Sequence, residues 1–151
     1  MSETTEPSGT LRQGVCWGRD RLHWERDSHG APPHPVDITV EGEFKYGPLR
    51  FEGFGDFFPD DPDAALALSD GLVADLYAWA EGIDTTLNLE VRDGEDGKYD
   101  AEWDRLFHEG MELAKRVAHE LGPSRTVTYK GLANGGLGAL TSITWRGDRQ
   151  L

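Results

Sequence analysis

The sequence predicts an α+β domain, in which two amphipathic helices pack on one face of a mainly antiparallel sheet. Its 151 residues suit a single domain with one hydrophobic core. Some segments alternate apolar and polar residues with the period of two typical of strands, and two longer segments repeat apolar residues every three or four positions, as helices do. The predicted order is strand, strand, helix, strand or extended loop, helix, strand, strand. Because strands and helices do not alternate strictly, this order favours an antiparallel sheet.

The first two strands are predicted to form a hairpin. Within residues 36–46, apolar side chains fall on one face and acidic or polar side chains on the other, which indicates a half-buried strand with its acids in solvent. Gly47 and Pro48 then favour a turn. Leu49 and Phe51 continue the apolar pattern, so we expect them to form a second, antiparallel strand.

The first helix is predicted over Pro62–Glu81. Asp61 is a favoured N-cap residue, Pro62 suits the first turn, and Asp63 would face the positive end of the helix dipole. We expect Gly82 to end the helix. Its apolar stripe consists of Leu68, Leu72, Leu76, Trp79, Ala80 and Ile83.

The next segment, residues 86–91, alternates apolar and polar side chains, which predicts a strand, although an extended loop would give the same pattern. A second helix is expected to begin at Asp100, which can cap it, and to end before Gly122 and Pro123. Its apolar stripe consists of Trp103, Leu106, Phe107, Leu113, Ala114, Val117, Ala118 and Leu121.

The last two strands are predicted over Arg125–Lys130 and Leu140–Trp145, and the glycine-rich segment Gly131–Gly138 joins them. That segment lacks the lysine and the serine or threonine that complete a phosphate-binding P-loop. Thr141 stands where a dinucleotide-binding fingerprint has its third glycine, and the segment enters a strand instead of a helix. We therefore interpret it as a hairpin loop.

The domain is expected to span residues 36–151. Residues 1–35 are predicted to be a flexible or loosely structured N-terminal arm that ends in a proline-rich linker, Arg26–Pro35. Residues 1–10 have no apolar run of the kind that a secretion signal needs, and no stretch is long and apolar enough for a membrane span. The single cysteine, Cys16, allows no internal disulfide and suits a reducing compartment, so a cytoplasmic location is the expectation.

The chain is strongly acidic, and its acids are concentrated in one region. Asp and Glu number 28 against 15 Lys and Arg, which gives a formal charge of −13. Residues 41–104 hold 18 of the acids and 4 of the bases, while residues 105–151 are mildly basic. Binding to nucleic acids or to anionic membranes depends on basic side chains, so this charge excludes both classes. Solubility, adaptation to high salt and attraction of a basic partner remain as explanations.

Residues with metal-binding or catalytic chemistry lack the spacing that such sites require. His108 and Glu112 share a helix face, but His119 is about 16 Å further along the axis and cannot complete the same metal site. Lys98 stands where an EF-hand beginning at Asp93 would need glycine, and no GxSxG nucleophile elbow occurs. Four residues of the N-terminal arm could form a zinc site, although they lack the paired short spacings of zinc folds: Cys16, His23, His29 and His34. We therefore assign no catalytic residue, no metal ligand and no cofactor.

Aromatic side chains set among carboxylates are the residues best suited to contact a partner. The rings supply interface area that excludes water, and the carboxylates steer a basic partner toward it. Alternatively, Phe57 and Phe58 pack under the first helix as part of the core. The predicted partner-binding residues are Glu52, Phe54, Asp56, Phe57, Asp60, Asp61, Asp93, Glu95 and Asp96.

In its size, its acidity and its lack of a catalytic motif, the chain resembles the small immunity proteins that neutralise polymorphic toxins. The resemblance implies a non-enzymatic inhibitor that covers a basic protein surface, such as the nucleic-acid cleft of a nuclease. One alternative is a small-molecule-binding domain or small enzyme with a pocket between the sheet and the helices. Another is a structural component or homo-oligomer whose acidic surface serves solubility alone.

Overall fold

The computed structural model describes residues 30–42, 46–94, 97–132 and 140–151. In chain order its elements are β1 (Asp37–Glu41), β2 (Leu49–Phe51), β3 (Gly55–Phe57), α1 (Asp70–Asp93), α2 (Asp100–Leu121), β4 (Thr126–Leu132), β5 (Leu140–Arg146) and β6 (Arg149–Gln150). The described strands form one sheet with the order β3-β2-β1-β4-β5-β6. Strands β1 and β4 are parallel, and every other neighbouring pair is antiparallel. The predicted α+β class with a mainly antiparallel sheet is confirmed.

One face of the sheet is apolar and carries both helices, as predicted. Val40 in β1 lies beside Leu49 of β2 and Tyr129 of β4, and all three are buried. The alternate positions, such as Thr39 and its neighbour Thr128, point to the opposite and more polar face. Helix α2 lies directly against β4, and α1 packs on α2.

Tyr129 joins the sheet to both helices. Its hydroxyl donates to the carbonyl oxygen of Phe107 in α2 at 2.7 Å, and its ring centroid lies 6.4 Å from that of Trp79 in α1. Trp79 Nε1 in turn donates to the carbonyl oxygen of Leu106 at 2.8 Å. Gly110 allows this close approach, because a Cβ at that position would lie 2.4 Å from Trp79 and 2.7 Å from Tyr129.

Helix α1 begins later than the predicted helix over Pro62–Glu81, so its predicted start was wrong. The carboxylate of Asp61 accepts from the backbone N of Asp63 at 2.9 Å, which forms a local turn and no helix cap. The N-cap is Ser69, whose Oγ accepts from the backbone N of Leu72 at 3.3 Å. The helix is therefore capped by Ser69, also a favoured N-cap residue, at a later position than the predicted Asp61.

The segment before α1 is irregular and well packed. Ala64, Leu66 and Leu68 are buried, and they alternate with the exposed Ala65 and Ala67. The two exposed alanines have positive φ angles of 53° and 54°. A left-handed backbone is unfavourable for L-residues and continues no right-handed helix, so these alanines separate the segment from α1.

Helix α1 runs through Gly82 to Asp93, so the predicted stop and the predicted strand at residues 86–91 were both wrong. Gly82 faces α2, where a Cβ would lie 3.1 Å from Leu106 Cδ2. The missing side chain therefore lets the two helices approach closely and does not end the helix. The end comes at Gly94, whose φ of 66° gives the left-handed C-cap typical of glycine.

Helix α2 closely matches its prediction. Tyr99 and not Asp100 is the N-cap, and Tyr99 makes no side-chain capping bond. Asp100 lies in the first turn, where a carboxylate faces the positive end of the helix dipole. Strands β3 and β6 were not predicted, because β3 lies in a segment with glycine, proline and acidic residues and the two residues of β6 are too few to show a period.

Parts of some predictions lie outside the described residues: 1–29 of the N-terminal arm, 43–45 of the first strand and 133–138 of the glycine-rich segment. Neither α1 nor α2, the helices of the described part, is long and apolar enough to cross a membrane.

Candidate functional site

The exposed part of the predicted contact surface includes the turn between β2 and β3. Glu52 and Phe54 lie on this turn and are both exposed. Asp60 is also exposed, and its Oδ1 accepts from the hydroxyl of Tyr77 in α1 at 2.5 Å. Asp61 is half-buried beside it in the chain. The turn and the segment that follows β3 thus expose carboxylates together with one aromatic ring.

Asp56 and Phe57, also predicted to contact a partner, are buried in β3. The carboxylate of Asp56 accepts from the backbone N of Gly47 at 2.7 Å and so holds the turn before β2. Phe57 and Phe58 belong to the core, and the Phe58 ring lies 5.8 Å from that of Tyr77. Both phenylalanines are thus part of the core, as the alternative expected, and Phe58 packs against α1.

Asp93 lies far from the β2–β3 turn. About 24 Å of helix axis separates Asp93 from Tyr77, the residue that contacts Asp60. Glu95 and Asp96 lie outside the described residues. The structure therefore divides the predicted surface into two separate groups.

The carboxylate of Asp93 is surrounded by donors. It accepts from the hydroxyl of Tyr99, from Lys98 Nζ at 2.9 Å and from Arg92 Nε at 3.1 Å. These bonds, Tyr99 first, hold the pKa of Asp93 well below its usual range. Asp93 is thus ionised at neutral pH, with two cations beside it.

Two side-chain hydrogen bonds link the end of α1 to the start of α2. Tyr99 donates to Asp93. One helical turn away, Trp103 Nε1 of α2 donates to Glu90 Oε2 of α1 at 3.1 Å. Residues three or four apart share a helix face, so the two bonds form successive rungs between the helices. The second rung places Glu90 and Trp103 at the edge of a cleft.

This cleft has a volume of about 340 Å³ and opens between the sheet and the two helices. Strands β1 and β4 are parallel neighbours, and the chain leaves them in opposite directions, toward β2 on one side and β5 on the other. Such a reversal leaves a crevice at the carboxyl ends of the strands, where open sheets commonly bind ligands. The walls are mostly apolar and include Trp79, Ile83, Leu87, Trp103, Phe107 and Leu140.

Glu90 is the carboxylate on the helix side of the cleft. Glu41 also borders it, but its side chain lies toward the polar face of the sheet, where its Oε1 is 3.8 Å from Arg50 Nε. Lys130 is the neighbour of Glu41 in register and shares that face. Tyr129 stays neutral, because burial raises the pKa of its phenol. The helix side of the cleft is therefore apolar, aromatic and negative.

A comparison with protein families identifies the chain. A family model described as Serratia CdiI immunity protein-like matches residues 36–131. This chain belongs to that family. No curated protein and no solved structure matches it. The segment shared with the immunity-protein family begins next to β1 and ends within β4, so it contains both helices and every cleft residue except Leu140.

The sequence-based reasoning missed Glu90 and Trp103 as site residues, although it placed a pocket between the sheet and the helices as an alternative. The apolar stripe assigned Trp103 to the core, and the predicted strand at residues 86–91 removed Glu90 from α1. The spacing of Ile83, Leu87 and Glu90 by four and three residues could have identified the continuing helix face.

The histidines of the second helix take part in separate local contacts. His108 Nδ1 lies 2.9 Å from the carbonyl oxygen of Asp104, and His119 Nδ1 lies 2.5 Å from Asp148 Oδ1. Across the described ranges, no group of three or more His, Cys, Asp or Glu could hold a metal ion.

Proposed function

We propose that this chain is an immunity protein, which binds a protein toxin and blocks its activity. The observation that carries the proposal is the family match over residues 36–131, which spans both helices and the strands from β1 into β4. Membership of this family supports a role of the immunity type, and such a role requires a protein partner.

The partner that we propose is basic. Residues 41–104 hold 18 acids and 4 bases, and this segment lies inside the matched region. Exposed carboxylates attract a basic surface over roughly 10 Å at 0.1 M salt, which raises the rate of association. A nuclease fits this description, because its nucleic-acid cleft carries basic side chains.

The contact surface that we propose has two groups of predicted residues. One lies on and after the β2–β3 turn and consists of Glu52, Phe54, Asp60 and Asp61. The other lies at and beyond the end of α1 and consists of Asp93, Glu95 and Asp96. Asp56 and Phe57 would support the first group from within the fold, since both are buried in β3, between Phe54 and Asp60 in the chain.

Growth of cells tests the proposed function. A cell that makes a toxin must also make its antidote, and we take the products of the genes adjoining this one as the candidate toxins to be tested. Each product is expressed alone and together with this chain. We expect one of them to arrest growth alone and to permit growth when this chain is present. If this chain restores growth in the presence of none of the toxic products, the proposed function is wrong.

Binding of the purified toxin tests the basic character of the partner. The dissociation constant is measured by calorimetry at about 0.05 M and about 0.5 M salt, and we expect it to rise about tenfold or more. Glu52→Lys should weaken binding about tenfold, and Glu112→Lys, an exposed acid outside both groups, by less than about twofold. Equal affinity at the two salt concentrations would contradict a basic partner.

A second candidate function is small-molecule binding in the cleft. The volume of about 340 Å³ is within the range of ligand pockets, and the walls are apolar with few polar groups. Native mass spectrometry of the chain purified from cells tests this candidate. A retained small molecule that Trp103→Ala releases would support it, and an unliganded chain after gentle purification would count against it.

A further inference from the structure

We propose that the cleft receives an arginine side chain of the protein partner. The proposal rests on the proposed function and adds the place and the chemistry of one contact. The cleft lies between the sheet and the helices, at the carboxyl ends of β1 and β4. Its helix side combines one carboxylate, Glu90, with the aromatic rings of Trp103 and Phe107.

Glu90 is oriented to accept further hydrogen bonds. Its Oε2 accepts from Trp103 Nε1 at 3.1 Å, which fixes the direction of the carboxylate. A carboxylate has about four lone-pair sites, so this one bond leaves most of its accepting capacity unused. Within the described chain, Glu90 forms no salt bridge with any lysine or arginine. A cation supplied by the partner would form a salt bridge with this carboxylate and use its remaining accepting capacity.

The aromatic walls suit a flat cation. Trp103 and Phe107 both line the cleft and are half-buried, so part of each ring remains accessible. A guanidinium group over the face of a tryptophan is attracted by the negative π surface. Trp103 would thus hold the guanidinium by stacking, and it already holds the carboxylate with which the guanidinium would pair.

The charge around the cleft favours a cation and not an anion. Asp93, one helical turn from Glu90, is paired with Lys98 and Arg92, so Glu90 is the carboxylate that makes the helix side of the cleft negative. Lys130 also borders the cleft, but its position in β4 places it on the polar face of the sheet, where Glu41 is its neighbour in register. A cationic occupant would therefore meet the Glu90 carboxylate on the helix side of the cleft, and an anionic one would be repelled.

Arginine fits this site better than lysine. The guanidinium is planar, is more weakly hydrated than an ammonium group and binds carboxylates through two parallel hydrogen bonds. A cleft with apolar walls disfavours a strongly hydrated ammonium ion, because entry would remove its water. The aliphatic part of the arginine side chain would lie against Leu87 and Ile83, which line the same walls.

The rim of the cleft favours a protein partner over a free small cation. Leu140 lines the cleft and is 63% exposed, so an apolar side chain lies at the rim. In protein interfaces, the contacts that surround an anchoring residue exclude water from it. Leu140 would become covered when a partner surface inserts its arginine.

Two model compounds test the cleft without the toxin. N-acetyl-arginine methylamide carries the guanidinium, and N-acetyl-citrulline methylamide has nearly the same shape without the charge. Each is titrated into the ¹⁵N-labelled full chain, and the indole N–H signal of Trp103, assigned with Trp103→Phe, is followed. We expect the arginine compound to shift this signal with an affinity about tenfold higher than that of the citrulline compound. Equal responses, or none, would overturn the proposal.

A matched pair of variants removes one charge at a time. Glu90→Gln keeps an amide oxygen that accepts from Trp103, so it removes the charge and preserves the shape. Glu112→Gln makes the same change at an exposed position outside the cleft. Glu90→Gln should weaken binding of the arginine compound about tenfold, and Glu112→Gln by less than about twofold. Circular dichroism confirms that both variants are folded.

The same variants, tested against the toxin found by the growth assay, separate the two proposals. We expect Glu90→Gln to raise the dissociation constant of the complex about tenfold and Glu112→Gln to leave it within about twofold. If the toxin binds both variants equally, the arginine contact is wrong and the proposed function stands. If no toxin is found, the proposed function is wrong, and the model compounds still decide whether the cleft binds a guanidinium.

Discussion

Glu120 accepts two hydrogen bonds from Ser69, one from its backbone N and one from its Oγ, each 2.7 Å long. The pair joins the last turn of α2 to the N-cap of α1, across 51 positions of the sequence. Ser69 Oγ also accepts from the backbone N of Leu72 at 3.3 Å. The start of α1 is therefore fixed both by its own cap and by the neighbouring helix.

Removing either member of this pair should destabilise the domain. Ser69→Ala removes the cap as well as one bond to Glu120, so we expect a loss of about 1 to 2 kcal/mol. Glu120→Ala leaves the cap in place and removes an exposed acceptor, so the loss should be about 1 kcal/mol. Urea unfolding at neutral pH measures both values.

The double variant shows whether the two residues act together. If Ser69 and Glu120 stabilise the domain through their mutual bonds, the combined loss should be smaller than the sum by about 0.5 to 1 kcal/mol. Glu112→Ala is the control, because Glu112 is exposed and bonds only its helix neighbour Lys115 in the described structure. Strict additivity of Ser69→Ala and Glu120→Ala would contradict the coupling.

Gly110 should tolerate no side chain, although it lies within a helix. A Cβ there would overlap the rings of Trp79 and Tyr129 at 2.4 and 2.7 Å, and buried rings that pack on each other have little room to move. The overlap should outweigh the helix propensity of alanine, so Gly110→Ala should lower the free energy of unfolding by about 2 kcal/mol. Thermal and urea unfolding measure this change.

At Gly71, in contrast to Gly110, a substitution by alanine should be favourable. It lies in the first turn of α1, and a Cβ there would meet no atom within 4 Å. Gly71→Ala should therefore stabilise the domain by up to about 1 kcal/mol. If both alanine variants were stabilising, the contact of α1, α2 and β4 around Gly110 would be looser than the structure shows.

The sequence was sufficient to predict β1, β2, β4, β5 and α2, because their periods are uninterrupted. Helix α1 was mispredicted because two local signals were misleading. Asp61 and Pro62 have the chemistry of a helix start, yet Asp61 bonds Asp63 within a turn. Gly82 has the chemistry of a helix end, yet it lies where α2 needs room. The role of each residue depends on its neighbours in the folded chain, which the sequence pattern does not show.

The candidate site was missed because the predicted first helix ended too early. Glu90 belongs to the cleft only because α1 continues past Gly82, and Trp103 reaches it only because α2 lies alongside. Composition did locate the acidic region that surrounds these residues. It could not tell Asp56 and Phe57, which are buried, from Glu52 and Phe54, which are exposed, since all four lie in one short segment.

The positive φ angles of Ala65 and Ala67 should make glycine favourable at these positions. Both alanines are exposed, with φ near 53° and 54°, a region that costs an L-residue about 1 to 2 kcal/mol. Glycine removes this cost but gains freedom in the unfolded chain, so Ala65→Gly should be stabilising by about 0.5 to 1 kcal/mol. Urea unfolding measures the change.

Ala78 is the matched control for this prediction. It is exposed as well, but it lies within α1, where glycine is unfavourable. Ala78→Gly should lower the free energy of unfolding by about 1 kcal/mol. Opposite signs for the two substitutions would show that backbone conformation decides the outcome, and equal losses would contradict the left-handed backbone at Ala65.

The contact of His119 with Asp148 should make one part of the stability depend on pH. The hydrogen bond and the charge of Asp148 raise the pKa of His119 above its ordinary value of about 6.5. Since the folded-state pKa is the higher one, the stabilising contribution is complete below about pH 6.5 and is lost as the pH rises through the folded-state value. The ring-proton chemical shifts of His119 in NMR spectra recorded over this range give the folded-state pKa.

Asp148→Asn tests the cause of this shift. The variant removes the negative charge and keeps a polar side chain of similar size at position 148, so the pKa of His119 should fall toward about 6.5. High salt should lower it in the same direction, because both side chains are exposed. A titration curve of His119 that Asp148→Asn leaves unchanged would mean that the two side chains do not pair in solution.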